Sequence, residues 1–247
     1  MKVSIITVVY NNEKTLAQAI DSVLMQNYPN IEYIVIDGAS KDGTIALINA
    51  YGDKIDQFIS ETDDGLYDAM NKGLKIAQGD IVGILNSDDF YTDKTVISRV
   101  VDGFQRTLCD VLYADVNYVK NIASDEIVRK WVSHEYKKNY FEKGFVPAHP
   151  SVFIKANLVS KYQYNLNYKL AADYDWLLRI FKNRALNIHY EPFAIINMRL
   201  GGATSKNWKN ILRGNLEIAQ SWWKNEKKIP ILTLFYFRPK VKLKQFV

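Results

Sequence analysis

Two adjacent carboxylates stand directly after an apolar run in the first half of the chain. The segment GDIVGILNSDDFY, residues 79–91, is apolar at its centre and then reaches Asp88 and Asp89. Neighbouring like charges repel unless a cation lies beside them, and Mg²⁺ prefers one or two carboxylates together with phosphate oxygens of a substrate. The pair therefore predicts a metal-bound diphosphate. Ser-Asp-Asp also suits a surface turn, which could cap a helix beginning near Thr92 or Asp93.

The elements that must position this pair alternate between strands and helices. Apolar and β-branched runs predict four strands, and apolar residues at helical spacing predict a helix after each of the first three. The predicted strands are Val3–Val9, Ile31–Ile36, Gln57–Ser60 and Ile81–Leu85, and Asp42 is the expected N-cap of the second helix. Such alternation predicts a mostly parallel sheet, whose ligands bind beyond the carboxyl ends of its strands. Asp37, Asp88 and Asp89 all follow strand ends and should converge there.

Composition sets the class of protein. A chain of 247 residues with 48% hydrophobic and 24% charged content is ordinary for a soluble globular protein, so we expect one large domain or a domain with an appendage. Cys109 is the single cysteine, which excludes an intrachain disulfide and favours the reducing cytosol. The first apolar run is too short for a signal peptide, and no run reaches the roughly 18 residues that cross a bilayer.

The C-terminal segment, residues 206–247, is strongly basic. It holds ten Lys or Arg residues and two Glu residues, whereas the formal net charge of the whole chain is +5. Nucleic acid and anionic lipid both attract such a segment, and the aromatic residues interleaved with its cations favour a membrane interface, with no nucleic-acid partner expected. A basic helix that only packs on the body of the protein is the alternative.

Four motifs, in order, resemble one enzyme family. The motifs VSIITVVYNNEKTL, YIVIDGASKDGT, GILNSDDF and AADYDWLLRI resemble the family 2 inverting glycosyltransferases, and SETDDGLYDAMNKGL is similar to the subgroup that makes bacterial surface polysaccharides. The resemblance implies the α/β GT-A fold, a mostly parallel central sheet flanked by helices. It also implies a GT-A domain over residues 1–205, with a nucleotide-sugar-binding half to about residue 110 and an acceptor-binding half after it. The basic segment 206–247 is then an appended helical part.

The resemblance also implies roles for individual residues. Tyr10 and Asp37 would hold the nucleoside base, with Val8 lining the same pocket. Asp88 would lie near the ribose or the metal, and Asp89 would be a direct ligand of Mg²⁺ or Mn²⁺. The expected donor is a nucleoside-diphosphate sugar, most often a UDP-sugar, although Asp37 would also serve thymidine.

Some positions depart from the common family pattern. The frequent Asp-Asp-Gly-Ser after the second strand is Asp37-Gly38-Ala39-Ser40 here, and Met70 replaces the arginine of Ala-Arg-Asn-x-Gly. Lys72 stands two positions further along the helix and does not simply replace that arginine, and a solvated position explains it equally well.

The loop before that helix is acidic. Its carboxylates are Glu61, Asp63, Asp64 and Asp68. Asp63 or Asp68 could bind the sugar, or the cluster could cap the positive N-terminus of the helix.

The second half of the chain should carry the acceptor side. Resemblance aligns Asp173 with the catalytic base, although the usual preceding Glu is Ala172, and simple N-capping by Asp173 is the alternative. Asp175 lies about 200° further around the same helix, so only one of the two aspartates can face the pocket. His149 lies in the segment PAHPS, directly before Pro150 and two residues after Pro147. It is either structural or part of the acceptor site.

The segment MRLGGATSKNW offers Arg199 to a diphosphate. The Gly201-Gly202 pair and the hydroxyls of Thr204 and Ser205 suit a mobile loop that closes over the diphosphate. A plain strand-to-helix connection explains the segment as well.

The expected reaction is a single displacement at the anomeric carbon, with one sugar moved per encounter to a saccharide acceptor. Resemblance to the surface-polysaccharide subgroup implies a lipid-linked acceptor, with the enzyme peripheral on the inner face of the plasma membrane. A nucleotidyltransferase is the first alternative, but the glycine-rich phosphate loop expected after its first strand is missing. A non-catalytic nucleotide-sugar-binding protein is the second.

Overall fold

One mixed sheet runs through the protein. The computed structural model describes residues 1–121, 124–200, 208–243 and 245. Within these residues the strands are β1 Val3–Val9, β2 Ile31–Asp37, β3 Gln57–Ser60, β4 Ile81–Asn86, β5 Phe90–Tyr91, β6 Val111–Asn121, β7 Ser124–Trp131, β8 Val152–Lys155 and β9 Ile188–Arg199. The helices are α1 Leu16–Leu24, α2 Thr44–Tyr51, α3 Leu66–Ile76, α4 Val96–Thr107, α5 Ala172–Phe181, α6 Trp208–Glu226 and α7 Arg238–Leu243, with a π-helical turn at Thr233–Phe237.

The two halves of the sheet differ in strand direction. The strand order is β3-β2-β1-β4-β8-β6-β9-β5, and β7 pairs with β6. Strands β1 to β4 are mutually parallel where they pair, as the sequence predicts. In the second half β8 runs antiparallel to both β4 and β6, whereas β6 and β9 are parallel. The expected α/β fold with a largely parallel sheet is therefore confirmed, and the antiparallel strands belong to the second half.

Alternation along β1 supplies two cores, one on each face of the sheet. Ile6 and Val8 point into the core beneath α3 and α5. Ile5 and Val9 point into the opposite core, beneath α1 and α4. Helices on both faces leave the carboxyl ends of β1, β2 and β4 as an open edge, which is where ligands of such sheets bind.

The chain after the aspartate pair differs from the sequence-based expectation of a helix near Thr92 or Asp93. Phe90–Tyr91 instead form β5, which pairs antiparallel with β9, and α4 begins only at Val96. The Asp93 carboxylate accepts a hydrogen bond from the Thr95 N–H at 2.7 Å, so it ends a turn that precedes the helix.

The C-terminal segment packs on the body through one face of α6. Trp222 is fully buried, and its indole N–H donates to the Tyr174 hydroxyl at 2.8 Å. Five apolar residues of α6 stay exposed, and we call this set the apolar face of α6: Trp208, Ile211, Leu212, Leu216 and Trp223. Among the residues described, none of the helices combines the length and apolar content that a bilayer crossing requires.

Candidate active site

Three loops meet at the carboxyl ends of β1, β2 and β4. Asn12, after β1, donates from Nδ2 to Ser87 Oγ at 2.9 Å, and Thr15 donates to the Ser87 carbonyl at 3.0 Å. The Asn11 N–H donates to Ser40 Oγ, after β2, at 2.8 Å. Because each loop is tied to a neighbour, the edge is held together before any ligand arrives.

The three residues expected around the nucleoside base are placed differently from one another. Tyr10 is 63% exposed on the edge, so its ring is open to a ligand. Val8 is buried in the core beneath α3, so its side chain does not line an open pocket. Asp37 is fully buried and accepts hydrogen bonds from the Ser40 N–H at 3.0 Å and the Ser60 hydroxyl at 2.6 Å. These bonds show that the Asp37 carboxylate secures the turn after β2, and its expected contact with the nucleoside base stays a prediction.

Asp88 and Asp89, just after β4, differ in exposure to solvent. The Asp88 side chain is exposed, whereas Asp89 is buried and accepts a hydrogen bond from Asn86 Nδ2 at 2.9 Å. Burial, and after it the neighbouring Asp88 carboxylate, raise the pKa of Asp89 well above its ordinary value. A cation beside this pair would reverse that effect, because it favours the charged form of both carboxylates.

Arg199, at the end of β9, reaches the same turn. Its guanidinium donates to the Asp88 carbonyl and to the Gln18 side chain and lies 5.1 Å from the centre of the Phe90 ring. The structure thus places Arg199 beside the aspartate pair, and its expected contact with a diphosphate stays a prediction. Gly201, Gly202, Thr204 and Ser205 lie outside the described residues.

Oxygen donors at this turn suit a hard divalent cation. Asn86 Oδ1 is buried beside Asp89 and has no hydrogen-bond partner in the described part of the chain. With the Asp88 and Asp89 carboxylates it makes a donor set of oxygens only, which Mg²⁺ and Mn²⁺ accept. The described residues contain no group of three His, Cys, Asp or Glu side chains that could hold a metal alone. A cation here would therefore rely on phosphate oxygens of a substrate.

Asp173 lies at the start of α5, and only one of its two carboxylate oxygens accepts hydrogen bonds from described residues. Its Oδ1 accepts hydrogen bonds from the Tyr67 hydroxyl at 3.1 Å and the Tyr174 N–H at 2.8 Å. No described residue bonds to Oδ2. Asp173 is not the N-cap, because Ala171 holds that position and Glu217 Oε2 accepts the Ala171 N–H at 3.0 Å.

A cavity of about 140 Å³ lies between Asp173 and Asn86, the last residue of β4. Its walls include Tyr67, Asn86, Trp131, His149, Asp173 and Met198. Asn86 lines this cavity and also bonds to Asp89, so one side chain connects the two ends of the site. A larger depression of about 230 Å³ lies around Asp175 and Arg179, and none of the expected donor or base residues lines it.

Asp175 points away from that cavity, as the helical spacing predicts. It is buried, forms an ion pair with Arg179 at 2.7 Å and accepts hydrogen bonds from Ser221 at 2.7 Å and Asn225 at 3.0 Å. Only Asp173 therefore faces the cavity, and Asp175 ties α5 to α6.

His149 lines the cavity but is engaged by its neighbours. Its Nε2 lies 2.5 Å from the Tyr164 hydroxyl, and its ring packs edge-on against Tyr164 and Trp176. Burial lowers the pKa of His149, with the Asp173 carboxylate acting in the opposite direction. A neutral, packed ring fits a structural wall of the cavity.

The acidic loop before α3 is held by Lys72. The ammonium group lies 2.9 Å from Glu61 and 3.4 Å from Asp68, and it donates to the Thr62 carbonyl at 2.8 Å. Lys72 thus neither replaces the missing arginine nor stands free in solvent. Its role is to order the loop.

Comparison with known proteins places this site in a family. The sequence model of "Glycosyl transferase family 2" matches residues 4–161, which is more than half of the chain. The chain belongs to glycosyl transferase family 2. The resemblance read from the four motifs is thereby confirmed, and the protein is a glycosyltransferase.

Relatives of this glycosyltransferase include mycobacterial proteins. An uncharacterized glycosyltransferase of Mycobacterium tuberculosis is 32% identical over 184 residues, covering 72% of this chain and 68% of its own. A "PGL/p-HBAD biosynthesis glycosyltransferase" of Mycobacterium bovis is 28% identical over 207 residues, covering 82% of this chain and 78% of its own.

Solved structures share the fold. S. aureus TarS 1–349 in complex with UDP-GlcNAc superposes with a TM-score of 0.73 at 18% identity, covering 99% of this chain and 73% of that one. The mannosyltransferase PcManGT from Pyrobaculum calidifontis, in complex with GDP-Man and Mn²⁺, gives a TM-score of 0.67 at 17% identity, covering 98% and 68%. The chain spans 40% of a longer TarS structure.

Sequence reasoning missed three residues of this glycosyltransferase's site. Asn86 is the first polar residue after an apolar run, a signal that marks strand ends but does not separate a ligand from a turn residue. Tyr67 lies within the quoted motif GLYDAMNKGL, and its bond to Asp173 spans 106 residues of sequence. Glu217 pairs locally with Arg213 at 3.0 Å, but no local pattern predicts the hydrogen bonds that it accepts from the Leu170 and Ala171 N–H groups.

Proposed function

We propose that this glycosyltransferase moves one sugar from a nucleoside-diphosphate sugar to an acceptor hydroxyl, with inversion at the anomeric carbon. The observation that carries the proposal concerns Asp173, whose Oδ2 accepts no hydrogen bond from a described residue. Asp173 lines the same cavity as Asn86, and Asn86 donates a hydrogen bond to Asp89. One base on the acceptor side and one aspartate pair on the donor side are what a single displacement requires.

In the proposed reaction Asp173 receives the proton of the acceptor hydroxyl as that oxygen attacks the anomeric carbon. The bond between that carbon and the diphosphate oxygen breaks on the opposite face, so the configuration inverts. The Tyr67 hydroxyl donates to Oδ1 and orients the carboxylate, which leaves Oδ2 as the proton acceptor. A divalent cation held by Asp88, Asp89 and Asn86 would neutralise charge on the departing diphosphate.

On the donor side, the exposed Tyr10 ring offers a face on which a base can stack. The binding of UDP-GlcNAc and of GDP-Man with Mn²⁺ by two proteins of the same fold supports a nucleotide-sugar donor and a divalent cation. UDP-sugar is the donor that we propose first.

Calorimetric titration of UDP into the protein tests the donor side. We expect binding in Mn²⁺ and a loss of about 10- to 100-fold in affinity with EDTA, since contacts between charged groups typically contribute about 1.5–3 kcal/mol. Asp89→Asn should weaken binding in Mn²⁺, whereas Asp102→Asn, which alters an exposed carboxylate on α4, should not. Equal affinity with and without chelator would refute the metal-dependent part of the proposal.

We also infer that the acceptor is lipid-linked and that the apolar face of α6 docks on an anionic membrane. Cations flank this face, among them Lys209, Arg213, Lys224 and Lys227. Exposed indoles beside cations are typical of helices that lie in a lipid interface. The relative named for PGL/p-HBAD biosynthesis supports a lipid-linked acceptor for this chain too.

Sedimentation with anionic liposomes tests this docking. The protein should sediment at low salt and release at high salt, because each basic residue near such a surface contributes about 1 kcal/mol. Lys224→Glu with Lys227→Glu should abolish sedimentation. The charge-matched control, Lys54→Glu with Lys94→Glu, alters exposed residues of the N-terminal half and should retain it. No sedimentation of the unaltered protein would show that the face serves another contact.

A further inference from the structure

The Asp63 carboxylate, in the loop between β3 and α3, lies beside Gly38, the same glycine that the exposed Tyr10 ring borders. We propose that Asp63 recognises the nucleoside base by accepting a hydrogen bond from a ring N–H. This assignment rests on the proposed function, because it concerns the donor of that same site. It names the base as one with a ring N–H beside a carbonyl: uracil, thymine or guanine.

The geometry around Gly38 brings Asp63 to this position. A Cβ built on Gly38 would lie 2.5 Å from Asp63 Oδ2 and 3.4 Å from Cδ2 of Tyr10. Gly38 stands where the common family sequence has its second aspartate, so the Asp63 carboxylate fills the space that a side chain at position 38 would take. Residue 38 itself has no carboxylate, but the Asp63 carboxylate, from the loop between β3 and α3, lies at that position.

Asp63 has one oxygen held and one open. Its Oδ1 accepts the Gly65 N–H at 2.8 Å, which fixes the side chain within its own loop. Oδ2 has no hydrogen-bond partner among the residues that the structure describes. Asp63 is partly exposed, in contrast to Asp37, whose carboxylate is fully buried and bonded to two serines.

The loop that carries Asp63 is ordered on both sides. Before it, the Glu61 N–H donates to the Asp37 carbonyl at 3.0 Å, which continues the pairing of β3 with β2. Within it, Lys72 bonds to the Thr62 carbonyl at 2.8 Å. After it, Gly65 adopts a φ of 107°, a conformation that favours glycine, and the chain enters α3. A carboxylate fixed in this way loses little freedom when it binds a ligand.

The chemistry of a carboxylate selects among bases, because an ionised Asp only accepts hydrogen bonds. Uracil and thymine offer N3–H, and guanine offers N1–H and an amino group. Cytosine presents a lone pair at N3 and adenine one at N1, which a carboxylate repels. Replacement by Asn restores a donor and should relax this selection.

Calorimetric titration of UDP, GDP and CDP in Mn²⁺ tests the assignment. The unaltered protein should bind UDP or GDP more tightly than CDP. Asp63→Asn should lower the affinity for the preferred nucleotide by about 10- to 100-fold and narrow its preference over CDP. Gly38→Ala should act in the same direction without altering Asp63, because its methyl group would displace Oδ2. Asp64→Asn, in the same loop and exposed, is the matched control and should change neither quantity.

The nucleotide preference separates base recognition from a structural role, since a loosened loop would weaken all three ligands alike. An unchanged preference in folded Asp63→Asn, checked by its melting temperature, would refute the assignment and leave the proposed function standing. No binding of any nucleoside diphosphate by the unaltered protein would instead refute the proposed function, and the assignment with it.

Discussion

The two sides of the proposed site are built in different ways: we call the carboxyl ends of β1, β2 and β4 the donor edge and the side of the cavity that carries Asp173 the acceptor wall. The donor edge comes from β1, β2 and β4 and the loops that follow them, which bond to one another. The acceptor wall centres on α5, whose N-terminus is held by Glu217 of α6, 46 residues away from Ala171 in the sequence. The donor edge depends on neighbouring βα units, whereas the acceptor wall depends on a distant helix.

Under the proposed function, the C-terminal segment therefore supports the acceptor side of the site. Glu217, Ser221, Trp222 and Asn225 all bond to α5 or to the residues that begin it. If the apolar face of α6 docks on a membrane, the same helix links the lipid surface to the helix that carries Asp173. Changes on the two sides should therefore separate donor binding from sugar transfer.

Among these changes, Asp173→Asn should give the largest difference between the loss of sugar transfer and the loss of donor binding. Sugar transfer should fall by about 10²- to 10⁴-fold, the usual contribution of a general base, while the Kd for UDP measured by calorimetry stays nearly unchanged. Tyr67 can still donate to the remaining carbonyl oxygen, so the fold should persist. Full activity in the folded variant would place the base elsewhere, with His149 the next residue to test.

Asp175→Asn should affect stability and leave the donor edge intact. Breaking a buried ion pair by altering one partner costs up to about 3–5 kcal/mol, and the Arg179 partner here is largely buried as well. We expect a clear fall in melting temperature, followed by circular dichroism, with unchanged UDP affinity in the protein that remains folded. A melting temperature equal to that of the unaltered protein would contradict this structural role.

Glu217→Ala should have the smallest effect of the three. It leaves the Leu170 and Ala171 N–H groups without their acceptor, at a cost of about 1–3 kcal/mol, and frees the start of α5. Turnover should fall severalfold with unchanged UDP affinity. Glu226→Ala, on the same helix and 3.9 Å from Lys182, is the matched control and should change little. Equal loss in both variants would show a general effect on α6.

Sequence reasoning located the strand ends of the donor edge but not all of the contacts made there. Periodicity gave β1 and β3 with their observed bounds and located Tyr10 and the aspartate pair at strand ends. The hydrogen bond that Asp37 accepts from Ser60 was not predicted, because Ser60 belongs to another strand. The helix expected after the aspartate pair is also displaced, since β5 pairs with a strand about 100 residues later in the chain.

The sequence by itself determined the family, the α/β fold and the strand ends at which carboxylates gather, because these depend on local periodicity and short motifs. Only the tertiary structure decided which carboxylate oxygens are open. Asp37 is occupied by Ser60, Asp173 is oriented by Tyr67, and Asp63 reaches its place over Gly38. Each of these contacts joins segments that are far apart in the chain. Hydrogen-bond occupancy and burial are properties of the packed molecule, so no local pattern encodes them.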